Sequence, residues 1–165
     1  MNFFKKSSGG MGSLEILIGA AIIVTGILAL IVAFNSFFAF ALSNDKNIQA
    51  AYLAEEGLEA MTFLRDGSYA GNIAPLSTSA VYYLTWDSSA SSWETTTTPQ
   101  YVDGIFLRQI TLASVNRDSS GRITTSDEGT LDPNTRLVTV TLEYFQGHAT
   151  TTQIMSTYLT NFYDN

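Results

Sequence analysis

An unbroken apolar run near the N-terminus limits what this chain can fold into. Between Ile16 and Leu42 the polar side chains are Thr25, Asn35 and Ser36, and the run contains no proline. A helix that crosses the hydrocarbon core of a bilayer needs ~20 mainly apolar residues. The sequence therefore predicts a membrane-spanning helix in this region.

Glu15 stands at the start of this run. A carboxylate at membrane depth costs ~2.5–3.5 kcal/mol even on the mild insertion scale, so a residue of this kind points to a function. The alternative is a glutamate at the level of the lipid headgroups, where the positive end of the helix dipole favours it. The residues alone leave both interpretations open.

The segment before Met11 is short and basic and ends in two glycines. An ordinary secretory signal has a shorter apolar segment with a small-residue cleavage site behind it, and no such site follows this run. Lys5 and Lys6 are expected to keep this end in the cytoplasm, so that the chain after Leu42 lies outside. The simplest interpretation is an uncleaved signal anchor with a flexible leader.

Charged residues return after the apolar run, while apolar side chains continue at helical spacing. Ala54, Leu58 and Met61 repeat at i, i+4 and i+7, and carboxylates stand between them. This pattern is typical of an amphipathic helix. Because no helix breaker separates it from the apolar run, we expect one continuous helix over Leu14–Arg65, with Gly67 at its C-terminal cap.

The rest of the chain predicts a β-rich head behind a loop at Gly67–Pro75. In Arg136–Phe145 apolar residues alternate with Thr and Glu, which is typical of a strand with one buried face. In the last strand Ile154 and Tyr158 share a phase. The predicted fold class is therefore α+β: the amphipathic half of the helix covers one face of an antiparallel sheet. The expected strands are Ala80–Trp86, Gly104–Val115, Arg136–Phe145 and Ala149–Phe162, and the expected connections are Asp87–Gln100, Asn116–Asn134 and a turn at residues 146–148.

One polar connection has the spacing of a calcium loop. Oxygen donors stand at positions 1, 3, 5 and 12 of that spacing, with glycine at position 6. Aspartate at the last position weakens bidentate binding, and strands rather than helices are expected on either side. The alternative is a polar hairpin turn over residues 118–121. The candidate Ca²⁺ ligands are Asn116, Asp118, Ser120 and Asp127.

Composition argues against several classes of function. The 15 Asp and Glu outnumber the 8 Lys and Arg and give a formal charge of −7, which argues against a nucleic-acid partner. The chain has no cysteine, so disulfides and thiolate metal sites are excluded. His148 is the single histidine, no nucleophile-elbow pattern accompanies it, and an enzyme is not expected. The carboxylates Glu55, Glu56 and Glu59 are interpreted as a solvated helix face.

With these features the chain resembles the type IV pilin and pseudopilin family. A short basic leader ends in Gly10, Glu15 is the fifth residue after it, and a long apolar helix follows. The segments Ala51–Ala60 and Leu64–Asp66 resemble the upper helix of minor pilins of the V type and of type II secretion pseudopilins of the I type. The ending Thr157–Asn161 is similar to endings in these proteins. The cysteine pair of many major pilins is missing, which favours a minor pilin or a pseudopilin.

The resemblance implies that a prepilin peptidase cuts after Gly10 and methylates the new N-terminus at Met11. It also implies assembly through the N-terminal helix into a pilus-like filament or a secretion-type pseudopilus. The implied partners are other pilin-like subunits, an inner-membrane assembly platform and, before assembly, membrane lipid. Glu15 would then pair with the Met11 amine of its own or a neighbouring subunit, since a lone buried carboxylate needs a cation.

The resulting organisation has four segments. They are a leader (1–10), a transmembrane or filament-core helix (11–43), its amphipathic continuation (44–66) and an extracytoplasmic β-rich head (67–165). Two other functions stay open: a signal-anchored extracellular binding module with calcium as its ligand, and an anchored hydrolase. No other cofactor is expected.

Overall fold

A long N-terminal helix and an antiparallel sheet make up this α+β protein. The structure is a computed structural model that describes residues 11–124, 129–146 and 149–162. Helix α1 spans Met11–Gly67, and a short helix, α2, follows at Tyr69–Asn72. The chain divides into two compact units, Met1–Asp45 and Lys46–Asn165. The prediction of one continuous helix is confirmed.

The first half of α1 is apolar on every side, and its large side chains are exposed from Leu14 to Leu42. By length and composition this helix could cross a membrane. Thr25 suits such a setting, because its hydroxyl donates to the carbonyl oxygens of Ala21 and Ile22, at 2.9 and 3.0 Å. A hydroxyl that is satisfied within its own helix leaves no polar group unpaired in lipid.

The second half of α1 buries one face against the sheet. Every third or fourth residue is buried, as the helical spacing predicts. The helix ends later than expected, since Gly67 is its last residue rather than its cap. Asn72 supplies the capping contact instead: its Nδ2 donates to the carbonyl oxygen of Leu64 at 2.8 Å. The buried residues of this face are Ala50, Ala54, Gly57, Ala60, Met61 and Leu64.

Seven strands form the sheet within the described residues, and all their pairings are antiparallel. Along the main path the order is β2-β1-β4-β6-β7, while the short strands β3 and β5 both pair with β4. The strands are β1 (Val81–Asp87), β2 (Ser92–Thr96), β3 (Tyr101–Val102), β4 (Phe106–Arg117), β5 (Ile123–Thr124), β6 (Thr130–Gln146) and β7 (Ala149–Thr160).

The core lies between the second half of α1 and the inner face of the sheet. The alternation predicted for β6 is confirmed, because Val138, Val140 and Leu142 are fully buried. The phase of β7 is different: Ile154 and Tyr158 share a face, but it is the open face, where they are 61% and 43% exposed. Their partners across β6, Thr141 and Leu137, lie on the same open face.

Two predicted connections contain strands. Within Asp87–Gln100, β2 pairs with β1 in a hairpin, and Trp93 stacks edge-on against Trp86 with ring centroids 5.4 Å apart. Within Asn116–Asn134, β5 and the first residues of β6 pair with β4. The sequence did not predict these strands, because their composition is polar and exposed edge strands need few apolar residues. The predicted turn at Gly147 and His148 lies outside the described residues.

Candidate functional site

Glu15 lies in the first turns of α1 and is exposed. Met11 is the first residue of that helix, and Gly10, where the resemblance implies cleavage, lies outside the described residues. An exposed carboxylate four residues after the first helical residue is near the positive end of the helix dipole. Glu15 is therefore an exposed carboxylate near the N-terminal end of α1, and its pairing with an amine stays a prediction.

Gly57 lies where α1 packs tightly against side chains of the sheet. A Cβ atom on this residue would lie 3.0 Å from Cγ1 of Val140 and 3.1 Å from Cδ of Arg108. Separations this short are tighter than normal packing, so any larger residue at this position would force the side chains of Val140 and Arg108 to move. The contact fixes the helix over β4 and β6.

Arg108 is a charged residue inside the core, with only 3% of its surface exposed. Its NH1 donates to Oε1 of Glu56 at 3.1 Å and to the carbonyl oxygen of Leu53 at 3.2 Å. The guanidinium carbon also lies 5.4 Å from the centroid of the Trp93 ring. A buried cation needs such partners. Arg108 thus joins α1, β4 and β2, and Glu56 is its ion-pair partner rather than a freely solvated carboxylate.

A bulge in β6 forms a second polar junction. The register with β4 shifts between Ser114 and Val115, so residues 133–135 of β6 have no pairing partner on β4. At this point Nε of Arg117 donates to Oδ2 of Asp132 at 2.6 Å, and its NH2 donates to Oγ1 of Thr135 at 3.2 Å. Thr135, fully buried, donates to the same Asp132 oxygen at 2.7 Å. Arg117, Asp132 and Thr135 thus satisfy one another's polar groups at the bulge.

The electrostatics of this junction follow from its contacts. Burial alone would raise the pKa of Asp132, but hydrogen bonds from Arg117 and Thr135 outweigh it and hold that pKa below its ordinary value.

Tyr69 of α2 donates its hydroxyl to the carbonyl oxygen of Pro133 at 3.2 Å. Burial raises the pKa of Tyr69. The junction holds α2 against the sheet.

The candidate calcium loop forms a hairpin between β4 and β5. Asn116 is part of β4 and pairs with Thr124, so it stands in the ladder. Oδ1 of Asp118 accepts the backbone N–H groups of Ser120 and Arg122, at 2.8 and 2.9 Å. The N–H of Gly121 donates to the carbonyl oxygen of Asp118 at 2.9 Å.

This geometry is that of the polar hairpin turn. Gly121 has a φ of +77°, which glycine adopts without strain. Arg122 also forms an ion pair with Asp118 at 3.3 Å. Asp127, the fourth candidate ligand, lies outside the described residues, and within the described ranges no group of three or more acidic, His or Cys side chains is placed to hold a metal. Calcium at this loop stays a prediction.

Neither family models, curated proteins nor solved structures match this chain. The resemblance to pilins stays a prediction.

Sequence reasoning missed three of the residues that organise the head. Arg108 could have been found, because it stands in phase with Phe106 and Ile110 in an apolar strand and so had to point into the core. Asp132 and Gly57 had no comparable signal. The bulge around Asp132 depends on which strand pairs where, and the role of Gly57 depends on the side chains of another element.

Proposed function

We propose that this chain is a structural subunit of a pilus-like filament or secretion-type pseudopilus, in the role of a minor pilin or pseudopilin. One observation carries the proposal. A single helix, α1, begins with an apolar segment whose large side chains are exposed and continues without interruption into a segment that is buried on one face against an antiparallel sheet. A subunit of this kind can be stored in lipid by one half of the helix while the other half holds a folded head.

The exposed apolar half needs a cover in every state of the molecule. Lipid supplies it before assembly, and the same segment of neighbouring subunits would supply it in a filament. Transfer between two apolar settings costs little, so the move from membrane to filament is compatible with one sequence. This is the physical basis for proposing that α1 is both anchor and assembly surface.

Glu15 supports the proposal because it is the one charged side chain between Met11 and Leu42. Removal of the leader after Gly10 would create a positive amine at Met11. In a dry helical bundle a lone carboxylate or a lone amine is strongly destabilising. Pairing the two removes much of that cost. We propose that this pair selects how far one subunit is shifted along the next.

Processing tests the proposal directly. Mass spectrometry of the protein from membranes of a host with an active prepilin peptidase should find a chain that begins at N-methyl-Met11. Loss of Lys5 and Lys6 makes the product two charges more negative than the full chain, whose formal charge is −7. A Gly10→Val variant provides the matched control and should stay unprocessed. Recovery of intact chains that begin at Met1 from the unmodified protein would contradict the proposal and favour a signal-anchored module.

A further inference from the structure

Strand β7 forms one edge of the described sheet. It pairs with β6 without a register shift, from Thr135 opposite Thr160 to Gln146 opposite Ala149. No other described strand lies along its far side. Successive residues of a strand direct their backbone groups alternately to its two sides, so about half of the N–H and C=O groups of β7 point away from β6.

This edge lacks the usual protections against further pairing. Natural edge strands carry lysine, proline, a bulge or a covering element. Residues 149–162 contain neither a charged side chain nor a proline, and the described ladder has no bulge in this region. Ile154 and Tyr158 are exposed on the open face of the same strand. The edge is therefore long, regular and able to accept another strand.

A cleft of about 380 Å³ lies between α1, which supplies most of its lining, and Thr157 on the inner side of β7. Apolar and acidic side chains both line it, and the exposed carboxylates Glu55 and Glu59 form what we call its acidic rim. Glu55 and Glu59 stand one helical turn apart on the rim, both exposed, and neither makes an ion pair or hydrogen bond within the described residues. Like charges at this spacing destabilise a helix, so a cation between them would relieve a cost. The other lining residues are Leu58, Thr62, Phe63, Asp66 and Thr157.

We propose that the β7 edge and this cleft bind an extended segment of another protein in which positively charged side chains alternate with apolar or β-branched ones. The segment adds a strand to the sheet through backbone hydrogen bonds. Its side chains alternate between the two faces. The cationic set faces Glu55 and Glu59, and the apolar set lies beside Ile154 and Tyr158. This site does not depend on the function proposed above.

A second copy of this chain is a poor occupant. The formal charge of −7 makes copies repel one another. A two-fold pairing of β7 with β7 would keep both helices on one side of the joined sheet and bring two Glu55–Glu59 rims toward each other. Four of the head's five arginines already form ion pairs within the head: Arg65 with Asp66, Arg108 with Glu56, Arg117 with Asp132 and Arg122 with Asp118. The fifth, Arg136, donates to the backbone carbonyl oxygens of Pro133 and Thr135.

Peptide binding to the full chain in micelles of an uncharged detergent tests the pairing rule. The probe is a fluorescent peptide of alternating lysine and valine, and the readout is anisotropy. We expect it to bind at least about tenfold more tightly than an alternating glutamate–valine peptide, and also more tightly than a peptide with the same lysines and valines in two blocks. Equal binding of the block peptide would overturn the proposal, because charge alone would then explain it.

The backbone contribution is tested on the peptide, which leaves the protein unchanged. Two versions carry N-methyl groups at every second residue, one version in each phase. Only one phase blocks the donors that face β7, so one version should lose binding while the other keeps it. In the bound complex, hydrogen exchange should slow at alternate amides of β7. Equal binding of the two methylated versions would overturn the added strand.

The acidic rim is tested with matched charge variants. Glu55→Gln combined with Glu59→Gln should weaken binding by about fivefold and reduce its salt dependence, as expected for two exposed ion pairs. The control, Glu94→Gln combined with Asp103→Asn, removes the same charge far from β7, on β2 and in the turn after β3. Equal weakening in both variants would contradict a site at this cleft, and so would cross-linking that joins β7 of one copy to β7 of another.

Discussion

Gly57 sets how closely α1 can approach the sheet. Its hydrogen atom stands where any larger side chain would meet Val140 and Arg108. Alanine at this position is a better helix former than glycine, which favours stability. Its Cβ atom would make a tight contact, which lowers stability, so the two effects oppose each other. A β-branched residue has no such compensation, because its added methyl groups point into a filled core.

Gly57→Val is therefore expected to lower the free energy of unfolding of the head by about 2–3 kcal/mol, the upper part of the usual cost of overpacking. The measurement is urea unfolding of the full chain in detergent, followed by the fluorescence of Trp86 and Trp93. Tyr52→Val, on the exposed face of the same helix, is the control and should change stability by only a few tenths of a kcal/mol, about what propensity differences give. A loss in the control as large as in Gly57→Val would contradict close packing as the cause.

Asp132 makes stability depend on acid pH. Burial opposes its ionisation, but hydrogen bonds from Arg117, Thr135 and the N–H of Asn134 lower its pKa in the folded state. The unfolded chain therefore takes up the proton first. The stabilisation is complete above the ordinary aspartate pKa of ~3.9 and is lost as the pH falls through the lower folded value.

Asp132→Asn should lower the free energy of unfolding by about 1–3 kcal/mol at pH 7, because a charged hydrogen-bond acceptor is lost. The gap between the variant and the unmodified protein should narrow as the pH falls from 5 toward 3. Urea titrations at several pH values measure both effects. A gap that is the same at every pH would show that the carboxylate charge contributes nothing at the bulge.

At the scale of elements, the hairpin between β4 and β5 is built by one side chain. The Asp118 carboxylate accepts hydrogen bonds from two backbone N–H groups, and its backbone carbonyl oxygen accepts one from the N–H of Gly121. These bonds hold the turn together. In the presence of a chelator, Asp118→Ala should lower stability by about 1 kcal/mol, since two exposed hydrogen bonds and one exposed ion pair are lost.

Calcium is tested in the same experiment. If the loop binds the ion, millimolar calcium at 100 times the dissociation constant adds ~2.7 kcal/mol to the stability of the unmodified protein. The Asp118→Ala variant should then gain nothing, because one ligand is missing. A melting temperature that is identical in calcium and in chelator would remove the calcium prediction and leave the hairpin alone.

Periodicity decided which elements could be predicted. The helix and the inward face of β6 follow from spacing alone, because burial on one side imposes a repeat on the sequence. The short strands β3 and β5 carry no such repeat. Asp103 and Gly104, both with positive φ, form the turn before β4, and an Asp-Gly pair is a turn signal that the sequence itself carries. The open-face position of Ile154 and Tyr158 could not be predicted, since an apolar phase does not say which face is covered.

At the scale of the whole molecule, two of the surfaces left uncovered within the described chain bear on function. One is the apolar half of α1, and the other is the edge of β7 with its acidic cleft. They differ in chemistry: the first needs lipid or apolar helices, and the second needs an extended cationic segment. Glu15 stands out in the sequence because it is a carboxylate at the start of an apolar run, and its role in assembly stays a prediction. The β7 edge could not be predicted, because strand order appears only in the fold.

Glu15 gives the sharpest test of assembly. Burial provides little direction for a helix that moves from lipid into a filament, because both settings are apolar. A polar pair provides that direction, since a carboxylate and an amine are tolerated only where they meet. The pair is therefore expected to fix the axial shift between neighbouring subunits more than to add affinity.

Glu15→Val should insert into the membrane normally, because it makes the apolar run longer, and it should still be cleaved after the intact Gly10. Its incorporation into sheared filaments should nevertheless fall sharply, since the Met11 amine then has no partner. Glu15→Asp keeps the charge with a shorter reach and should be intermediate. Immunoblots of sheared and membrane fractions, with processing followed on the same gel, separate a defect in assembly from a defect in cleavage. Normal incorporation of processed Glu15→Val along the whole filament would show that the pair does not set the axial shift.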